Sequence, residues 1–426
     1  MSCAPARRVA IAVLLASAVL ACRGASGADV VELRLWAMGR EGEVVGELVR
    51  DFERSHPGIR VRVQQIPWTA AHEKLLTAHV GDATPDIAQL GNTWIPEFAV
   101  LDALEPLGTR AASSSIVDES DYFQGIWATN IVADTLYGVP WYVDTRVLFY
   151  RTDLLAQAGY REVPATWERW RTAMERLRAR MSPRTYPLLM PVNEWAPPVS
   201  FGLQMGATLL RDGGRYGNFS GPRFRRAFEF YIELYRDSLA GVLSNTEVSN
   251  LFQEFARGNI AMYITGPWNI GEFASRLPPE VSDRWGTAPL PAPDGPGASM
   301  AGGSSLVLFR QSEHKDEAWQ LIEFLSRPEQ QVRFYQLTGD LPPRRTAWSD
   351  SALESNEYAH AFREQLERVR PLPAVPEIEQ IVTKVMEYGE QVARGRLGVE
   401  AALAALDRDV DRLLEKRRWL LARRGR

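Results

Sequence analysis

A chain of 426 residues is too long for one ordinary core, so two domains are expected. Hydrophobic residues at 45% and charged residues at 24% give the balance of a soluble globular protein. The net charge of −4, from 49 basic and 53 acidic residues, leaves no excess to hold a polyanion, which excludes an ordinary nucleic-acid binder.

Residues 1–21 read as a secretory signal. Arg7-Arg8 precede an apolar run from Val9 to Leu20, too short to span as an ordinary transmembrane helix. Val19-Leu20-Ala21-Cys22 resembles a bacterial lipobox, with a bulky Leu20 where a small residue is more usual. Cys3 and Cys22 are the only two cysteines, and Cys3 leaves with the signal. The mature chain then has a single thiol at its first position and no internal disulfide. Lipidation of Cys22 accounts for that thiol and tethers the chain to a membrane. Cleavage near Ala25 or Ala28, with release of a soluble periplasmic protein, is the alternative. Beyond this segment no apolar run approaches transmembrane length.

Val30 to Ala37 alternates as a half-buried strand, and Gly39 to Gly42 reads as a turn. Val44, Leu48, Val49 and Phe52 have helical spacing up to the stop at His56-Pro57-Gly58. Ile59 to Ile66 is a second strand, Ala70 to Val80 a helix, and Asp86 to Leu90 a third strand. This order predicts right-handed crossovers and a mostly parallel sheet. The loops after its strands hold Met38 to Glu41, Pro67 to Thr69 and Gly91 to Trp94, on one rim. Val147 to Tyr150 is a buried strand. Thr166 caps a helix whose Trp167, Trp170, Met174 and Leu177 form one apolar face, which places those tryptophans in a core. Tyr186 to Asn193 leads into Glu194-Trp195, and Phe224 to Tyr235 is helical.

The stretch Phe255 to Phe273, FARGNIAMYITGPWNIGEF, is the most informative in the chain. Gly258 stops a helix, because glycine takes the left-handed conformation there without a Cβ penalty. Asn259 to Thr265 is a short buried strand, broken by Gly266-Pro267. Asn269 with Glu272 reads as a capping box opening the next helix. Trp268 is left in the loop at the carboxyl end of a strand, the edge where open α/β sheets bind ligands. A flat aromatic there suits a sugar, with its flat apolar faces and polar rim; core filling is the other reading of Trp268. Leu290 to Gly303 is too rich in Pro and Gly to be regular. Ser304 to Phe309 is a strand, Glu317 to Leu325 a helix, and Gly339 to Arg344 a loop. Val399, Leu403, Leu406, Val410, Leu413 and Leu414 share one helical stripe.

No motif argues for catalysis. His72-Glu73 has its next histidine at His79, so the HExxH zinc spacing fails. Gly303-Ser304-Ser305-Leu306 is not a nucleophile elbow, and neither a P-loop nor a GxGxxG follows a strand. With Cys22 at the N-terminus no thiolate metal site remains, and no cofactor is expected. A facing carboxylate pair, as in sugar hydrolases, is left open.

Several segments together resemble the extracellular solute-binding proteins of sugar-importing ABC transporters, the maltose-binding proteins among them. They are Ala261-Met262 with Gly266-Pro267-Trp268; Tyr137 to Trp141 with Leu148 to Arg151 and Asp153 to Leu155; Pro164 to Trp167; Gly302 to Phe309 with Ala318 to Leu325; and Leu341 to Arg344. The likeness runs from about Val31 to the C-terminal helices. It implies a two-lobed α/β periplasmic-binding-protein fold of type II, with the ligand between lobes joined by several crossings. Lobe 1 would hold 30–139 and 302–346, and lobe 2 would hold 140–301 and 347–426.

The resemblance also implies where a sugar would be touched. Those positions are Glu41, Asn92, Thr93, Trp94, Asp144 after the first crossing, Glu194, Trp195, and Trp268 as stacking platform. Gly302 and Gly303 would let backbone approach the ligand, and Arg344 would close the rim. Trp141, with Tyr142, either lines the cleft or packs the hinge. Carboxylates that accept two or more hydrogen bonds, with tryptophan over the C–H faces, give about −8 kcal/mol, a micromolar constant. The expected protein is a monomer that closes on a mono- or oligosaccharide and presents it to a permease. Two rivals stay open: an envelope enzyme acting on carbohydrate, and a binder of another solute such as glycerol 3-phosphate, for which Arg40, Arg146 and Arg344 are the available cations.

Overall fold

The computed structural model describes residues 30–248 and 250–424. The signal segment and Cys22 lie outside them. Strand β1 (Val31–Met38), helix α1 (Gly39–Ser55), β2 (Ile59–Ile66), α2 (Trp68–Val80) and β3 (Ile87–Gly91) follow the expected order, and β2 and β3 pair in parallel on either side of β1. Helix α1 begins at Gly39 itself, at φ +50°, so the turn expected over Gly39 to Gly42 is already helical. Val44, Val45, Leu48, Val49 and Phe52 of α1 are buried against the sheet. Edge strand β2 buries its ends and exposes alternate residues between them, whereas the inner strand β3 is buried almost throughout.

The chain leaves this sheet through β4 (Gly138–Asp144) and enters a second one at β5 (Val147–Arg151). Helix α3 (Trp167–Arg178) follows, capped as expected by Thr166, whose hydroxyl accepts from the Arg169 amide. Its Trp170 is fully buried, and Trp167 stacks on Phe230 at 4.1 Å. Both tryptophans are core, as their helical spacing predicted. After β6 (Tyr186–Leu189), α4 (Ala196–Gln204) and α5 (Pro222–Arg236) comes β7 (Ile260–Thr265), preceded by Gly258 at φ +77°. The next helix, α6 (Asn269–Arg276), corrects the capping box. Its cap residue is Trp268, and the Asn269 side chain donates instead to Thr265 Oγ1 at 2.7 Å. Strand β8 (Trp285–Ala288) completes a sheet of order β8-β5-β7-β6.

The chain returns through Ser299–Ala301 to β9 (Gly302–Leu308), which runs antiparallel between β3 and β4 and closes the first sheet as β2-β1-β3-β9-β4. Helices α7 (Lys315–Leu325) and α8 (Pro328–Thr338) cover that sheet, and α9 (Glu357–Leu366) packs on β8 of the second. Helix α10 (Ile378–Ala393) buries Ile381, Val382 and Val385 in the second lobe's core, α11 (Val399–Leu413) adds Leu403, Leu406 and Val410 with Leu414 just after it, and α12 (Glu415–Arg424) lies beyond them. The result is two α/β lobes joined by several crossings.

The boundary expected after Val139 falls inside β4. Pro140 to Asp144 run along β9, with Val143 also bridged to Leu341, and all of these partners belong to the first lobe, so the first crossing is Thr145–Arg146. Thr145 Oγ1 donates to the Met300 carbonyl at 2.8 Å, and the Arg146 amide donates to Ser299 Oγ at 3.1 Å, tying this crossing to the returning one. Phe123, Ile126 and Val143 from the first lobe join Val147, Phe149, Phe273 and Trp285 from the second in one continuous apolar cluster. Such a seam packs the two lobes against each other beside the crossings.

Candidate ligand cleft

Strand direction decides which loops share the cleft. The register pairs Ser304 with Gly91 and Gly302 with Asp144, so the carboxyl ends of β3 and β4 lie at one edge of the first sheet. Thr265 pairs with Val147 on the second sheet, which brings the loop after β7 to the start of β5. Only Thr145 and Arg146 separate the two edges along the chain. The loops after β1, β3 and β4 therefore face those after β6 and β7.

On the first lobe Gln89 organises a buried polar floor. Its Oε1 accepts from the Met38 amide at 2.7 Å, which leaves its Nε2 to donate to Tyr142 Oη at 3.2 Å and toward Glu41 Oε1 at 3.5 Å. Ser304 Oγ donates to Tyr142 Oη at 3.1 Å. Glu41, in the first turn of α1, is thus held at the cleft by its helix and this network. Asp340, in the loop after α8, stands close enough to Glu41 and Asp144 to feel both charges. Burial, then Glu41 and Asp144, push its carboxyl up to about 7.

At the crossing, Asp144 Oδ1 accepts from Arg146 Nη1 at 2.5 Å. Burial raises the Asp144 carboxyl, Arg146 opposes that, and the charge of Glu194 across the cleft adds to it. On the second lobe Glu194 Oε1 accepts from Asn245 Nδ2 at 2.9 Å, and Trp195 packs half-buried against the core. Trp268 is 45% exposed, with the Arg146 guanidinium 4.7 Å from its ring centre. An indole left that open beside a carboxylate–guanidinium pair does not fill a core.

Glu41, Asp144, Glu194 and Trp268 come together around Asp340 and Arg146. The other expected contacts are held as follows. Trp141 is 1% exposed and stacks on Phe334 at 4.2 Å, so it packs the first lobe and lines nothing. A Cβ on Gly303 would meet the Tyr142 carbonyl oxygen at 2.2 Å and one on Gly302 the Asp144 carbonyl oxygen at 2.7 Å. The two glycines therefore admit strand β4. Arg344 is buried, donating to Asp121 Oδ2 at 2.6 Å and to the Ile116 and Ser326 carbonyls at 2.9 Å, which removes it from the rim. Asn92 stitches the edge of the sheet, its amide to the Gly303 carbonyl and its side chain to that of Ala301. The Thr93 hydroxyl donates to Glu379 of α10, a contact between lobes. Trp94 meets Trp68 edge-on at 5.6 Å.

Sequence reasoning missed Gln89 and Asp340. Asp340 had one visible signal, its place one residue before Leu341, in the loop read as the closing one. The bridge pairing Leu341 with Val143 beside Asp144 was not legible.

The raised carboxyl of Asp340 gives a signed prediction. The unfolded chain releases this proton near pH 3.8 and the folded chain near 7, so the folded state is progressively penalised as pH rises through that window. Asp340→Asn removes the penalty. Thermal melts should show the variant more stable than the parent at pH 8, with the gap closing toward pH 4. Equal gaps at both values would place Asp340 in an ordinary carboxylate environment.

Two α/β lobes facing each other across a carboxylate-lined cleft, with an exposed tryptophan on one side and strands crossing beneath, define a two-lobed solute receptor. The chain belongs to the bacterial extracellular solute-binding protein family, whose sequence profile matches residues 39–332. It is similar to the sugar-binding protein MalE from the phytopathogen Xanthomonas citri, at 53% identity and a TM-score of 0.90, over 92% of this chain and 99% of that one. Relatives include the diacetylchitobiose binding protein DasA of Streptomyces coelicolor, 24% identical over 89% of both chains. The galactooligosaccharide-binding protein of Bacillus subtilis is 25% identical over 87% of both.

Proposed function

We propose that this protein captures a mono- or oligosaccharide between its lobes, closes on it and hands it unchanged to the permease of an ABC importer. The exposed face of Trp268, opposite a bank of carboxylates at the crossing, is the observation that supports this reading. Carboxylates accept paired hydroxyl hydrogens, and an indole covers ring C–H faces. Glu41, Asp144, Glu194 and Trp268 are the proposed contacts from the sequence reading, and Asp340 and Tyr142 join them. Trp195 is proposed as a flanking wall.

Charge argues against a phosphorylated ligand. Arg40 is taken up by Glu43 at 3.0 Å and Arg344 by Asp121, so of the cations considered only Arg146 is left to face these carboxylates. A cleft so charged repels phosphate and favours a neutral polyol. Calorimetric titration with trehalose, maltose, sucrose and glycerol 3-phosphate tests this. One sugar should bind near the micromolar range and be recovered intact, with no heat from glycerol 3-phosphate. Recovery of a cleaved sugar would make the protein an enzyme, and binding of glycerol 3-phosphate alone would overturn the carbohydrate reading.

The protein acts as a monomer held to the membrane by lipid on Cys22, exported by the signal that precedes it. Cys22→Ser should move it from the membrane fraction to the soluble envelope fraction without changing sugar affinity. A variant that stays with the membrane after high-salt washing would rule out the lipid as the anchor.

A further inference from the structure

Trp268 and Trp419 are the two tryptophans among the exposed large hydrophobic residues of the described chain. The first stands at the cleft. The second, 55% exposed, stands on α12, far along the chain from any cleft residue, with Leu420 beside it at 37%. Helix α12 is firmly placed rather than loose. Arg417 Nε donates to the Gly214 carbonyl at 3.1 Å, and Arg418 Nη1 donates to the Arg215 carbonyl at 3.0 Å while its guanidinium lies 4.8 Å from the Tyr216 ring. Those contacts use the inner side of the helix. Lys416, Trp419, Leu420 and Arg423 are spaced i, i+3, i+4 and i+7, so they share the outer side, and all four are exposed.

Charge completes the pattern. The protein as a whole carries a net charge of −4, yet Lys416, Arg417, Arg418 and Arg423 form no ion pair with a described carboxylate. The nearest acids are committed or set aside from this stripe. Asp409 is paired with Arg412, and Asp411 accepts from the Gly217 amide at 2.8 Å. Glu415 is exposed one position before Lys416, on the flank of the stripe. The Arg423 guanidinium lies 4.5 Å from the Trp419 ring, so the cation and the indole form one surface.

We infer that the outer side of α12 is a docking surface for anionic phospholipid. Lys416 and Arg423 meet the headgroup charge, while Trp419 and Leu420 enter the interface between headgroups and acyl chains, where an amphipathic indole is favoured. A stripe of two turns gives weak, salt-sensitive adhesion, in keeping with a chain that must also turn toward a permease. The inference does not depend on the ligand or on lipidation of Cys22.

The test uses the mature chain with Cys22→Ser, which carries no lipid, and sedimentation with vesicles. Vesicles containing phosphatidylglycerol should bind it about tenfold or more better than phosphatidylcholine alone at low salt, and lose it at 0.5 M salt, roughly as screening requires. Trp419→Ala should weaken binding to both kinds of vesicle, and Lys416→Glu with Arg423→Glu should abolish the preference for anionic lipid. Both variants should keep the parent's melting temperature and sugar titration. Equal binding to the two kinds of vesicle, or a preference unchanged by the charge reversal, would overturn the proposal.

Discussion

Trp268→Ala should reduce sugar affinity by about 70-fold while leaving the protein folded. One indole face covers on the order of 100 Å² of ligand, and at ~25 cal/mol per Å² its loss is worth about 2.5 kcal/mol. A dissociation constant near the micromolar range would move to roughly 0.1 mM. Little stability should be lost, because the ring is already 45% exposed and what it touches in the chain is the Arg146 guanidinium and the edge over Gly266. Calorimetric titration with the sugar that binds the parent, next to a thermal melt, reads both quantities. Unchanged affinity would return Trp268 to a packing role. An early melt would mean that the indole holds the crossing in place, and the lost affinity could then not be assigned to stacking.

Trp141→Ala should do the reverse. The side chain is 1% exposed and stacked on Phe334, and truncating a buried tryptophan costs about 3–5 kcal/mol through lost burial and the cavity left behind. Denaturant unfolding should show that loss, while the fraction that remains folded binds sugar as the parent does. The indole nitrogen has no hydrogen-bond partner, so Trp141→Phe should recover most of the stability, since it refills much of the space without a polar atom to satisfy. A selective loss of affinity with intact stability would place Trp141 in the cleft after all. The two tryptophans thus separate platform from core by opposite readouts.

The first lobe's parallel order was readable locally, because alternation of apolar residues and helical spacing need only neighbours along the chain. Gly258 as a helix stop, Thr166 as a cap and the burial of Trp167 and Trp170 followed for the same reason. So did Trp268, since Gly266-Pro267 ends a short apolar strand and leaves the next large residue in a loop at a strand's carboxyl end. Trp141 carries no such signal. Its strand β4 is buried on both faces, and nothing in Val139-Pro140-Trp141-Tyr142 says which side meets the cleft.

At the glycines and at Arg344, local signals give way to long-range packing. Gly302-Gly303 announced close backbone approach, and that is what they provide; only the register of β9 against β4 decides that the approaching group is the Tyr142 carbonyl instead of a ligand. Arg344 announced a cation near the crossing, but Asp121, 223 positions earlier, claims it. Asp340 looked like an ordinary loop acid until Glu41 and Asp144 were brought beside it. Residue type and local order settled the fold and the chemical character of the cleft, because those depend on contacts within one turn or one strand. Which side chain is left unclaimed beside the crossing was set by partners about two hundred residues away, since a side chain's availability depends on what else reaches it, and that is a property of the packed chain alone.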